Sequence, residues 1–156
     1  MSLHNLRNAV PVACIMMVAL FAAESPFVGT WKVNAAKSKL DGSGMGTATT
    51  VRYEAAGEGL KAFVESTDPQ GQPMNFSYQA SLDGKNAAVT GTPSFDTVSI
   101  KRINDHILTA IGKKDGKVIW TDRRVVSHDG RTMTLTRDGT NAEGRKYHST
   151  AVLERQ

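Results

Sequence analysis

Cysteine, proline and long apolar runs are all scarce in this sequence. One cysteine in 156 residues leaves no partner for a disulfide within the chain, so stability must come from a packed core. Five scattered prolines make no proline-rich linker. No apolar stretch reaches the roughly twenty residues that a hydrocarbon-spanning helix needs, and no long amphipathic helix or internal repeat is apparent. Local catalytic signatures are missing as well. There is no Gly-x-Ser-x-Gly, and no His-x-His spacing links His106, His128 and His148, so neither a metal nor a haem is expected. Gly42-Ser43-Gly44-Met45-Gly46 lacks the strand–loop–helix context and the Lys-Ser/Thr of a phosphate cradle, and reads as a plain loop. Most carboxylates fall in turns, where Asp-Gly makes hairpins, which argues against an acid–base pair. No catalytic residue and no cofactor are therefore expected, although an active site assembled from distant strands would leave no local motif.

What is present is the composition of one ordinary globular domain, 40% hydrophobic and 22% charged with a formal net charge of +4. The doublets Lys101-Arg102, Lys113-Lys114, Arg123-Arg124 and Arg145-Lys146 are interleaved with acids, so they make no nucleic-acid stripe. The N-terminus has the layout of a secretory signal peptide: Arg7, an apolar stretch from Ala9 to Ala23, and small residues at Ala22-Ala23. Residues 1–23 are expected to be removed, leaving 24–156 as a secreted or periplasmic domain with no stable membrane insertion. Cys14 lies within the apolar stretch rather than after it, so it belongs to the leader and is not an acylation site.

Beyond residue 24, apolar and polar residues alternate with the period of half-buried strands. Ten strands are expected: Pro26 to Val33, Thr49 to Glu54, Leu60 to Ser66, Pro73 to Ala80, a short one around Ala87 to Thr90, Asp96 to Ile103, His106 to Gly112, Lys117 to Ser127, Arg131 to Asp138 and Lys146 to Glu154. Tight turns join them, among them Asp83-Gly84-Lys85 and Asp115-Gly116; Ala35-Ala36 is expected to make a helical turn. Sequential hairpins build an all-β, antiparallel up-and-down meander. An even number of strands lets the first and last pair antiparallel, which removes both edges by closing a barrel.

Phe27-Val28-Gly29-Thr30-Trp31-Lys32-Val33 resembles the opening strand of the intracellular fatty-acid-binding proteins and, more distantly, of lipocalins. Ser149-Thr150-Ala151-Val152-Leu153-Glu154-Arg155 resembles their closing strand. The resemblance covers most of residues 26 to 156 and implies a calycin-type barrel that carries a small apolar or amphipathic ligand. That family clamps a carboxylate with an Arg and a Tyr two residues apart on the last strand. The matching positions here are Ala151 and Leu153, so ordinary fatty-acid carriage is not implied. The family's other internal Arg, on the eighth strand, maps onto Arg123 by spacing from Asp115-Gly116-Lys117. Residues 34 to 46 are too few for the helix pair that the family inserts after its first strand.

Gly29, Trp31 and Arg155 are expected to close one end of the barrel, with the guanidinium stacked on the indole. Arg123 and Arg124 are adjacent, so one of them faces inward in a regular strand. Family spacing favours Arg123 beside Ile119, Thr121 and Val125; the pattern alone allows Arg124 with Val118, Trp120 and Val126. An internal arginine would attract a carboxylate, sulfate or phosphate, whereas a surface Arg123 would pair with Asp122. Arg102 and Arg137 sit at strand ends where solvation is easy. Phe76, Tyr78, Trp120 and Tyr147 complete the candidate ligand-binding set. The expected function is a monomeric exported carrier of a small apolar or amphipathic molecule. The alternatives are a solid barrel, filled by Trp120, Phe76 and Met133, that binds another protein, and less readily a barrel isomerase or cyclase.

Overall fold

The computed structural model describes residues 24–68 and 70–156; the expected leader and Cys14 lie outside them. Ten strands follow in order: β1 (Gly29–Val33), β2 (Thr50–Ala56), β3 (Gly59–Thr67), β4 (Pro73–Ala80), β5 (Asp83–Thr90), β6 (Thr97–Asn104), β7 (Ile107–Lys114), β8 (Lys117–Val126), β9 (Thr132–Thr140) and β10 (Lys146–Arg155). Each pairs antiparallel with the next, and β1 pairs with β10, so the meander closes into a barrel without edges. Among the described residues one 3-10 turn, Ala35–Lys37, is capped by the Asn34 side chain. The segment after it bridges across β10 at Lys39 and Thr150.

Two strands begin more than two residues from where they are expected; the other ends agree within two residues. The first strand begins at Gly29 rather than Pro26, because Val28 N–H bonds back to Ser25 at 3.0 Å and turns the chain under the barrel. The fifth strand begins at Asp83, inside the expected Asp83-Gly84-Lys85 turn. Gly84 at φ +87° takes up a register shift there, and the chain turns earlier, at Ser81-Leu82.

The floor of the barrel is built from the two chain ends. Trp31 lies opposite Arg155 in the β1–β10 ladder, and its indole N–H donates to the Phe27 carbonyl at 2.8 Å. The Arg155 guanidinium stacks 4.3 Å above the Trp31 ring. It also donates to the carbonyls of Gly130, Val28 and Pro26 at 2.6, 2.6 and 2.7 Å. Gly29, at φ +131°, passes directly beneath this guanidinium, where a side chain would collide with it. Phe27, Leu60, Leu108, Met133 and Leu153 are fully buried in this half. At the opposite end lie the 91–96 connection, the Asp115-Gly116 turn and the loop of residues 38 to 49.

Trp31→Ala removes the largest floor side chain and is expected to lower the unfolding free energy by about 3–5 kcal/mol, read by urea denaturation. Arg155→Lys keeps the charge but loses the fork, and should move the midpoint the same way by less. An unchanged midpoint in Trp31→Ala would show that this floor does not hold the barrel closed.

Candidate functional site: a buried ion cluster below an aromatic mouth

Which β8 side chains face into the barrel is set by an irregularity in that strand. Gly112 pairs with Trp120 but Lys113 pairs with Val118, so Ile119 is an extra residue in the ladder. The bulge resets the alternation. Trp120, Asp122, Arg124 and Val126 then point inward and are buried, while Val118 is exposed. The expectation of an inward Arg123 is thereby corrected: Arg123 is exposed, and Arg124 takes the interior position with its side chain 3% exposed. Spacing counted from the turn fails because it allows no extra residue.

Arg124 is held by three partners. Its Nε and Nη2 donate to the two Asp122 carboxylate oxygens at 3.0 and 3.2 Å. Its Nη1 donates to the Tyr53 and Tyr78 hydroxyls at 2.7 and 2.9 Å. Arg137, across the ladder from Asp122, donates from Nη2 to Asp122 Oδ2 at 2.7 Å. Far from being solvated at a strand end, Arg137 is only 13% exposed. Two guanidiniums thus share one fully buried carboxylate, and the cluster carries one positive charge in excess. Burial pushes the Asp122 carboxyl up, but the Arg124 and Arg137 charges outweigh it and hold the group below the ordinary carboxylate value. Burial would lower the Arg124 guanidinium; Asp122 outweighs that too and holds it well above its usual value. The Tyr53 hydroxyl is pushed far up by burial, against the pull of Arg124, and stays protonated.

Above the cluster lie aromatic rings. The Arg137 guanidinium stacks 3.9 Å over the Trp120 ring. Phe95, from the 91–96 connection, meets Trp120 edge-on at 5.3 Å and Phe76 edge-on at 5.2 Å. Gly112 leaves room for the indole and Gly139 for the Tyr147 ring, where any side chain would clash. Tyr147 is half-buried, and burial raises its hydroxyl above the ordinary value.

Of the expected binding residues, Arg124, Tyr78, Trp120, Phe76 and Tyr147 thus share one region, and Arg123 lies outside it. Asp122, Tyr53, Arg137 and Phe95 belong to the region without having been singled out for it. Asp122 was legible in principle from its i±2 spacing to Trp120 and Arg124 once the bulge is known; Phe95, in a connection, carries no periodic signal. The positions matching the fatty-acid clamp, Ala151 and Leu153, point inward and are buried. His148 is exposed and pairs with Asp138 at 2.7 Å. Among the described residues, no three His, Cys, Asp or Glu side chains converge on a metal position. Two surface concavities stand out, of about 330 Å³ beside Phe63, Asn75 and Thr90 and about 400 Å³ beside His106 and His128. Neither is lined by the ion cluster.

No family model matches the chain, and no curated protein matches it. Solved structures do. Zebrafish ileal bile acid-binding protein, in complex with cholic acid, is 12% identical with a TM-score of 0.53, over 85% of this chain and 100% of that one. A redesigned β-barrel bound to DFHBI is 14% identical with a TM-score of 0.43, over 83% of this chain and 95% of that one. A siderocalin of dual ligand specificity is 13% identical with a TM-score of 0.37, over 85% of this chain and 71% of that one. At such identities the first of these establishes the fold alone: a calycin-type, ten-stranded closed barrel.

Asp122→Asn would leave two buried guanidiniums without a counter-charge, and should cost about 3–5 kcal/mol of stability at neutral pH. Because the folded pKa of Asp122 lies below its unfolded value, its contribution is present above the ordinary carboxylate range and is lost as pH falls through the lowered value. The stability gap between the wild type and Asp122→Asn should therefore narrow on acidification below about pH 4. Denaturant melts across that range check it, and a gap independent of pH would contradict the charge pairing.

Proposed function

We propose that this barrel is an exported binding protein that holds a small apolar or amphipathic molecule in its upper half. The observation that carries this reading is the buried cluster of Arg124, Arg137 and Asp122, one charge out of balance, beneath Trp120, Phe95 and Phe76. A barrel that serves only as scaffold is as stable, or more so, with apolar residues at such positions. An unbalanced ion cluster beside aromatic surface instead suits a ligand with a polar end and an apolar body. The similar barrel that binds cholic acid supports the reading at the level of fold analogy. Export rests on the leader layout of residues 1–23. A monomeric state accords with closure, since no strand edge is left to pair with another copy.

A second reading, a solid barrel that binds another protein through its loops, draws on the packing itself. Met133, Leu108, Ile100 and Leu153 are fully buried in the lower half, and Phe95 fills the upper entrance.

Native mass spectrometry of the protein purified from its own host separates the two. Carriage predicts a co-purifying small molecule that is lost in Arg124→Ala and retained in Arg123→Ala. A bare polypeptide mass, together with no uptake of an uncharged hydrophobic fluorophore, would favour the solid barrel.

A further inference from the structure

We propose that Arg137 is the seat for the head of a monoanionic amphiphile, a carboxylate or sulfonate, and that the Phe95 ring stands where the apolar body of that ligand lies when bound. This rests on the small-molecule reading above, and adds the charge of the ligand and the place of its head.

The donors of the two arginines are unequally used. Arg124 directs Nε, Nη1 and Nη2 at Asp122, Tyr53 and Tyr78. Arg137 makes one hydrogen bond, to Asp122, and its Nε is buried without an acceptor. A buried N–H left unpaired is costly. With Nε and Nη1 both without acceptors, the guanidinium keeps donors free for an oxyanion. Charge then sets the valence of the head. Two guanidiniums and one carboxylate leave a single positive charge, which one negative charge cancels. A dianion would leave net negative charge buried beside Asp122. Tyr147, diagonal to Arg137 across the β9–β10 ladder and opposite Gly139, keeps its proton through burial and supplies a second donor nearer the mouth.

The place of the apolar body follows from Phe95. Most core side chains reach the interior by strand alternation, but this ring is delivered by a connection. Gly91, at φ +99°, lies against the Asn75 backbone where no side chain fits. At the other end, Asp96 N–H bonds to the Lys113 carbonyl at 2.9 Å, and its carboxylate accepts from Asp115 N–H at 2.8 Å. Between these anchors the buried Phe95 ring meets Phe76 and Trp120 edge-on. Such contacts are worth about 0.5–1.5 kcal/mol beyond area burial, and an incoming apolar body can replace them.

Fluorescence titrations with a pair of probes test this: anilinonaphthalene sulfonate, a monoanion, and uncharged N-phenyl-naphthylamine. The wild type should bind the sulfonate more tightly. Arg137→Gln should weaken the sulfonate about tenfold or more and leave the naphthylamine unchanged, which also shows that the variant is folded. Exposed Arg123→Gln should change neither, and Phe95→Ala should tighten both several-fold. On the wild type itself, a naphthoate should displace the sulfonate and its methyl ester should not. Equal sulfonate affinity in wild type and Arg137→Gln, or equal displacement by acid and ester, overturns the anion seat but leaves carriage standing. Weaker binding of both probes to Phe95→Ala makes that ring a wall of the site and overturns its placement. Failure of both probes on both the wild type and Phe95→Ala overturns the carrier reading together with the proposal.

Discussion

The interior of this barrel depends on one carboxylate. Asp122 is fully buried, and it is the shared acceptor that allows Arg124 and Arg137 to remain charged away from water. An unpaired guanidinium in an apolar interior is not tolerated. The pairing therefore fixes the rotamers around it: Arg124 reaches across to the hydroxyls of β2 and β4, and Arg137 lies flat on Trp120. Three parts of the barrel wall that are far apart in sequence are tied through one group.

The same economy appears at the floor. Arg155 satisfies three backbone carbonyls and covers the Trp31 ring, so one side chain joins the first strand, the last strand and the β8–β9 turn. The two ends of the barrel use arginine on tryptophan differently. At the floor the guanidinium finds an acceptor for each nitrogen and the stack is complete. Near the mouth Arg137 is stacked but under-satisfied, with one hydrogen bond to Asp122 and a buried Nε without an acceptor.

Much of the fold was legible because alternation is a strong signal wherever one strand face is buried. Met74, Phe76 and Tyr78 share a face in sequence and in β4. Gly29, Trp31 and Arg155 meet because an even-stranded meander has only one way to close its ends. The site was less legible. Choosing between Arg123 and Arg124 required the phase of β8, and one extra residue at Ile119 inverts that phase relative to a count from the turn. Arg137 looked solvated at a strand end, yet the stack on Trp120 and the tie to Asp122 draw it inside. Asp83-Gly84-Lys85 has turn composition, which shortens the expected fifth strand, while the glycine there serves a register shift.

Strand identity, strand count and the antiparallel closure of the chain on itself follow from sequence, since local periodicity and turn chemistry decide them within a few residues. Which charges face inward, how two arginines divide one aspartate, and how Phe95 comes to lie on Trp120 were decided only in the tertiary structure. Those outcomes depend on a single bulge and on cross-barrel contacts between residues such as Tyr53 and Arg124, 71 positions apart. No local pattern carries that separation; it is fixed by where the closed sheet brings side chains to share one low-dielectric space.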